Sequence, residues 1–149
     1  MPEPRRSVLK RRVSRRIERG IVNPLNRALL GSGRMGATYA VLETTGRRSG
    51  RPRRIPVANG LRGDTFWLIS AHGPRAHYVQ NLIADPRVRV GVVHDGELRW
   101  RSGTAHLLPG DDTRARQRDL ARGRLGYRLD AILLRATATN LMTIRVDLD

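Results

Sequence analysis

The chain of 149 residues has no cysteine, a single lysine, few aromatic side chains and no long apolar run. Without cysteine it has no disulfide, no thiol nucleophile and no thiolate metal ligand. Because no apolar stretch approaches about 20 residues, no transmembrane helix is expected. Residues 1–20 also lack the apolar core and cleavage site of a secretory signal. These absences together favour a cytoplasmic location.

Conventional catalytic motifs are missing as well. The four histidines and thirteen acidic residues show no metal-binding spacing such as HExxH, so no metal site is predicted. No serine lies in a G-x-S-x-G nucleophile motif. If the protein is an enzyme, a bound cofactor is expected to carry the difficult chemistry.

What the chain has in abundance is arginine, and its formal net charge is +16. The densest run is TTGRRSGRPRRIPV, residues 44–57, with five arginines between Arg47 and Arg54. Such a run could bind nucleic acid, an anionic membrane or one small polyanion. No aromatic residue for base stacking falls between residues 40 and 65. Gly46 and Gly50 allow a tight turn whose amides form an anion nest, which suits a discrete polyanion better than nucleic acid.

Residues 7–30 are predicted to be helical, because apolar residues recur every fourth position along a basic segment. Gly20 and Pro24 are expected to divide this helix in two. Its apolar stripe could dock onto the rest of the protein or rest on an anionic membrane as a peripheral contact. The following GSGRMG, residues 31–36, matches a dinucleotide-binding pattern, but a predicted helix precedes it and a predicted strand follows. We therefore expect a loop there.

From residue 37 onwards strand patterns dominate. Strands are predicted at 38–44, 54–59, 65–71, 87–93, 97–108 and 141–148, and helices at 77–84, at about 111–122 with Asp111 as its cap, and at 127–136. His94, Asp95 and Gly96 form a predicted hairpin turn. This pattern predicts an α+β protein: a small β-barrel of about six mostly antiparallel strands with an N-terminal basic helix and flanking helices. We divide it into an N-terminal basic amphipathic extension, residues 1–36, and one barrel domain, residues 37–149.

Two segments carry a family resemblance. LETTGRRSGRPRRIPV and the downstream FWLISAHGPRAHYVQNLIADPRVRV resemble, in order and spacing, the motifs of the deazaflavin-dependent nitroreductase family. The resemblance implies a split β-barrel, similar to FMN-binding barrels, that binds coenzyme F-420, an 8-hydroxy-5-deazaflavin whose tail carries a phosphodiester and several glutamates. FMN is the alternative cofactor. The implied activity is hydride transfer from the reduced cofactor to a quinone, nitro compound or other conjugated small molecule.

The resemblance also assigns site residues by motif. It implies that Arg47, Arg48 and Ser49 contact the anionic tail, and that Arg53, Arg54, Ile55, Pro56, Val57 and Ala58 follow the cofactor along the next strand. Ile69, Ser70, Ala71 and His72 match the loop beside the ring, and His77, Tyr78, Val79, Gln80 and Asn81 match the short flanking helix. The proton for the product could come from Tyr78, His72, Tyr127 or solvent.

Several of these residues have structural alternatives. Ile55, Val57, Ile69 and Val79 could simply be barrel core, and Asn81 could fix the loop through backbone hydrogen bonds. The whole protein has alternatives too: a non-catalytic split barrel for FMN, haem or another ligand, or a basic nucleic-acid module. No specific nucleic acid is expected, and a homodimer is compatible with the resemblance.

Overall fold

The computed structural model describes residues 33–149. The predicted helix over residues 7–30 therefore lies outside the described residues, and the division at residue 36 stays a prediction. Within these residues the structure has seven strands, four α-helices and a short 3₁₀ helix over Gly73–Arg75. The strands and α-helices, in chain order, are α1 (Gly33–Thr38), β1 (Tyr39–Thr45), β2 (Pro52–Ala58), β3 (Leu61–Arg62), β4 (Thr65–Ser70), α2 (His77–Ala84), β5 (Arg87–His94), β6 (Glu97–Leu108), α3 (Thr113–Ala121), α4 (Leu125–Thr137) and β7 (Met142–Leu148).

All seven strands belong to one antiparallel sheet in the order β2-β1-β5-β6-β7-β4-β3. The sheet curls into a half-barrel, which confirms the predicted split-barrel class. Alternation along β5 places Val88 and Val90 inside, because successive side chains of a strand point to opposite faces. The hairpin from β5 to β6 turns at Asp95 and Gly96, both with positive φ, as a two-residue type I′ turn requires.

The interior of the half-barrel is filled mainly by the sheet and closed by α2. Val79 and Leu82 of α2 pack into the same cluster as Leu42, Phe66 and residues of β5 and β7. A second, smaller cluster joins Leu120 of α3 to Tyr127 of α4, against Ala58 and Trp67. The helices α3 and α4 thus cover one end of β2 and β4.

Three local predictions are corrected. Residues 33–38 form α1 rather than a loop, so β1 begins at Tyr39 and not at residue 38. This short helix is held by contacts distant in sequence: Arg124 donates to the carbonyl of Ala37 at 2.9 Å, and Thr38 packs on Gly126. Such packing overrides weak local propensity.

The other corrections concern a strand and a helix cap. The two-residue β3 brings the strand count to seven instead of about six. The cap of α3 is Asp112, whose carboxylate accepts from the amide of Ala115 at 3.1 Å. Asp111 is instead paired with Arg116 at 3.1 Å, which holds the pKa of that carboxyl below its usual range. Between residues 33 and 149, no helix is long and apolar enough to cross a membrane.

Candidate active site

The loop between β1 and β2, residues 46–51, which we call the arginine loop, is closed by its own backbone. The amide of Gly46 donates to the carbonyl of Arg51, and the amide of Gly50 donates to that of Gly46, both at 2.8 Å. Gly50 has a φ of +68°, a conformation that glycine adopts without strain. Arg48, Arg51 and the adjacent Arg53 are exposed. The loop therefore presents guanidinium groups to solvent from a fixed backbone.

The short helix α2 anchors the arginine loop through Asn81, which is 6% exposed. The Asn81 Oδ1 accepts from the backbone amide of Arg47 at 3.2 Å and from its guanidinium at 3.0 Å. The Asn81 Nδ2 donates to Thr44 Oγ1 at 3.1 Å. Arg47 also donates to the carbonyl of His77 at 3.3 Å. Arg47 and Asn81 thus fix the arginine loop on α2. This arrangement agrees with the alternative in which Asn81 holds the loop through backbone hydrogen bonds.

Arg54 points to the face of the sheet away from the core. Its Nε lies 2.6 Å from Glu43 Oε2, and its guanidinium is 4.8 Å from the centre of the Trp100 ring. Arg89 approaches the same carboxylate at 3.3 Å and the same ring at 4.8 Å. Glu43 and Trp100 therefore hold two arginines together beneath β2, and a direct contact of Arg54 with a cofactor stays a prediction.

At the other end of β2 lies a cavity of about 250 Å³. Its walls come from the edge strand β2, from β4 and the loop after it, and from α2, α3 and α4. The lining residues are Tyr39, Ile55, Pro56, Val57, Ala58, Trp67, Leu68, Ile69, Ser70, Ala71, His72, Ala76, Tyr78, Gln117, Tyr127, Asp130, Ala131 and Leu134. Most of this surface is apolar, with a few polar groups placed around it, as in binding sites for flat organic molecules.

The cavity gathers most of the chain's aromatic residues. All three tyrosines and one of the two tryptophans line it, that is four of six aromatic side chains in the protein. Burial raises the pKa of Tyr127 to about 12, and burial also raises the pKa of Tyr78 despite an opposing hydrogen bond with Ser70. The pKa of Tyr39 is raised by burial and by its hydrogen bond to Asp130, at 3.0 Å. All three phenols are therefore neutral hydrogen-bond donors at physiological pH.

One buried acceptor beside the cavity has no partner within residues 33–149. Gln117 is only 3% exposed, and its Oε1 makes no hydrogen bond there. An unpaired buried acceptor costs about 1–3 kcal/mol.

The loop after β4 is held rigidly where it meets the cavity. The carbonyl of Ala71 accepts from the amides of Thr139 and Asn140, at 2.9 and 3.0 Å. Gly73 has a φ of +52°, and a β-carbon there would lie 2.5 Å from the Asn140 side chain. The side chain of Gln80 donates to the Pro74 carbonyl. His72 is exposed at the mouth of the cavity, with its Nδ1 3.0 Å from Thr139 Oγ1.

The predicted site residues separate into two groups. The cavity brings together Ile55, Pro56, Val57, Ala58, Ile69, Ser70, Ala71, His72, Tyr78 and Tyr127. Around the arginine loop and α2 lie Arg47, Arg48, Ser49, Arg53, Arg54, His77, Val79, Gln80 and Asn81, and of these Val79 is a core residue with no exposed surface. The two groups are joined by β2, and from Arg53 to Val57 the strand advances about 13 Å at the usual rise per residue.

Sequence reasoning missed eight lining residues. They are Tyr39, Trp67, Leu68, Ala76, Gln117, Asp130, Ala131 and Leu134. Residues 127, 130, 131 and 134 share one face of α4, so helical spacing from Tyr127 was a usable signal. Because aromatic residues are scarce in this chain, Tyr39 and Trp67 are also candidates for a ligand site. No signal in the sequence points to Gln117 or Ala76.

The curled antiparallel sheet, with a cavity beside its edge strand β2, has the split-barrel fold. Three solved structures share it: an F420-H2 dependent reductase, FDR-A (18% identity, TM-score 0.51, 75% of this chain and 94% of the other), a FAD-binding protein from Mesorhizobium loti (20%, 0.50, 75% and 79%) and HutZ, the heme storage protein from Vibrio cholerae (16%, 0.54, 78% and 84%). At these identities the likeness shows the fold. Among curated proteins, none matches the chain significantly.

The chain belongs to the F420H2-dependent quinone reductase family, whose model matches residues 14–149. Family membership makes it an F420-dependent oxidoreductase with coenzyme F-420 as its cofactor.

Proposed function

We propose that the protein reduces a quinone in the cavity, with the deazaflavin ring of F-420 against β2 and β4 and its anionic tail on the arginine loop. The observation that carries this proposal is the line of groups along β2: exposed guanidiniums at one end and a mostly apolar cavity at the other, about 13 Å apart along the strand. A ligand that uses both ends must be elongated, apolar and flat at one end, and polyanionic at the other.

The residues present suit that cofactor. Arg48 and Arg53 supply planar donors that match phosphate and carboxylate. The apolar lining of Ile55, Val57 and Ile69 accepts a ring face. When bound, reduced F-420 supplies a hydride from its ring carbon C5.

The protein itself contributes binding, orientation and exclusion of water. Because burial raises their pKa values, Tyr78 and Tyr127 keep their protons at physiological pH. Their role is to donate hydrogen bonds to oxygens of the acceptor, and not to transfer a proton to it. His72 lies at the exposed mouth of the cavity. We place proton entry for the product there, on the solvent side.

The tail site is tested by charge reversal with a matched control. Arg48→Glu combined with Arg53→Glu should weaken binding of oxidised F-420 by about a hundredfold or more, measured by quenching of cofactor fluorescence, since charge-assisted hydrogen bonds are each worth about 1.5–3 kcal/mol. Arg99→Glu with Arg114→Glu makes the net charge more negative by the same four units, at exposed positions away from the arginine loop. Equal weakening by both pairs would show that only overall charge matters.

The reaction is tested by mixing protein loaded with reduced cofactor with a water-soluble benzoquinone and, separately, with a nitroaromatic compound. We expect oxidised cofactor absorbance to appear with the quinone faster than without protein. Tight cofactor binding with no acceleration by any quinone would refute the acceptor while leaving the cofactor assignment intact.

A further inference from the structure

The helix α4 presents a second apolar face, opposite the one that lines the cavity. Leu125, Leu129, Ile132 and Leu133 are 70%, 54%, 53% and 65% exposed, and we call them the α4 ridge. Their spacing of four, three and one residues puts them on one side of a helix. In the described part of the chain, the single other large apolar side chain so exposed is Ile83, at 56%. Contiguous exposed apolar side chains mark interaction surfaces.

Beside the α4 ridge runs an arginine-lined groove. It has a volume of about 480 Å³ between α3 and α4, and Ile132 forms part of its wall. Arg118, Arg122, Arg128 and Arg135 line it. No acidic side chain does so among the described residues, although Asp119 lies 3.9 Å from the Arg122 guanidinium outside the lining. An apolar ridge is thus flanked by four cations.

We propose that this face of the protein docks on an anionic lipid bilayer. The ridge side chains enter the boundary between headgroups and acyl chains, and the groove arginines bind headgroup phosphates. The flat fork of a guanidinium accommodates phosphate oxygens in pairs. Each cation near an anionic membrane surface adds about 1 kcal/mol of attraction, so charge and apolar burial act in the same direction.

Charge distinguishes this partner from two others. A second copy of the chain would bring four arginines against four arginines, in molecules that each carry a formal charge of +16. Residues 1–32, which also contain an apolar stripe, carry nine basic and two acidic residues and would meet the same repulsion. An anionic bilayer meets both the ridge and the groove with attraction.

The position of α4 links this surface to the cavity. Ala131 and Leu134 line the cavity, while their neighbours Ile132 and Leu133 belong to the α4 ridge. If the acceptor is a quinone, as proposed above, docking would set the cavity wall beside the phase in which a lipid-soluble quinone dissolves. This consequence rests on the proposed function, whereas the docking surface does not.

The test is cosedimentation of the full chain with vesicles of phosphatidylcholine and phosphatidylglycerol in equal parts, and with phosphatidylcholine alone. Ile132→Gln should weaken binding to the anionic vesicles about fivefold, because the free energy gained by half-burying this apolar side chain in the bilayer is lost. Leu129→Gln with Leu133→Gln removes two such side chains and should weaken binding more strongly. Ile83→Gln is the matched control, with equal exposure on α2, and should bind like wild type. Arg128→Gln with Arg135→Gln should weaken binding to anionic vesicles selectively.

Each result is read together with solution measurements on the same variants. Thermal melting checks that the variants fold. Binding of oxidised F-420 should be unchanged in the ridge variants. Because this binding is measured without vesicles, a failure of the cofactor assignment can be told apart from a failure of membrane docking. Equal vesicle binding by wild type, Ile132→Gln and the double ridge variant overturns the proposal. A shift of sedimentation coefficient in the ridge variants without vesicles would identify a second copy as the partner. Increased proteolysis within residues 1–32 of those variants would identify that segment instead, and both results contradict the proposal.

Discussion

Asn81→Ala should destabilise the protein and at the same time loosen the arginine loop, which we propose binds the anionic tail of the cofactor. The side chain of Asn81 makes three hydrogen bonds, two from Arg47 and one to Thr44, at 3.0–3.2 Å. A neutral bond contributes about 1 kcal/mol net and one from a charged group about 1.5–3 kcal/mol, so the free energy of unfolding should fall by about 3.5–5 kcal/mol. For a chain of this size about 3 °C corresponds to 1 kcal/mol, so Tm should fall by about 10–15 °C.

The same change should weaken binding of oxidised F-420 by about five- to thirtyfold, because the arginine loop must then be ordered by the ligand at the expense of binding energy. Urea unfolding gives the first quantity and fluorescence titration the second. Asn59→Ala is the control: its Oδ1 makes a local bond with the amide of Leu61 at 3.2 Å, remote from the arginine loop, and should cost about 1 kcal/mol with no change in affinity. An Asn81→Ala protein that melts like wild type, or that melts lower but binds normally, would refute this reasoning.

Two further predictions concern tyrosine ionisation and a backbone constraint. Because the folded pKa of Tyr127, about 12, exceeds its unfolded value of about 10, its contribution to stability is present below pH 10 and is lost as the pH rises through 12. Between pH 10 and pH 12 the wild type should lose up to about 3 kcal/mol more unfolding free energy than Tyr127→Phe. Urea unfolding at several alkaline pH values measures this difference. If unfolding free energy fell in parallel with pH for the two proteins, the burial of the phenol would be contradicted. Gly73→Ala should destabilise by about 1–3 kcal/mol more than Gly63→Ala, since both glycines have positive φ but only a β-carbon at position 73 meets a neighbour, Asn140; equal thermal melting of the two variants would show that this loop yields.

The elements that sequence predicted well are those whose pattern agrees with their burial. The strict alternation of residues 87–93 and the Asp95–Gly96 turn predicted β5, β6 and their hairpin, and α2 was predicted at 77–84, its observed bounds. The failures occurred where distant contacts decide. Residues 33–38 are helical because Arg124 and Gly126, far along the chain, pack against them. No local pattern carries that information.

The site was predictable to the extent that motifs fix it. The family motifs contain nine residues that the cavity brings together, from Ile55 on β2 to Tyr78 on α2. They could not show that Arg54 is held by Glu43, because that pairing depends on the register between β1 and β2, in which these residues face each other. Nor could they find Gln117, since a buried amide in an arginine-rich helix looks like surface until α3 is packed against the sheet. Direct cofactor contacts stay predictions.

The strand β2 ends the sheet on one side, and its prolines have a consequence for the protein before any ligand binds. Edge strands offer unpaired amides on which another chain can add a strand, a route to aggregation. Residues 52, 54, 56 and 58 direct their backbone nitrogens to one side of β2, and two of the four are proline, which has no N–H. Since proline is tolerated where it leaves no ladder bond unmade, this is the open side. The edge that forms the cavity wall is therefore a poor template for strand addition, so the protein can remain exposed there without recruiting other chains while it awaits its cofactor.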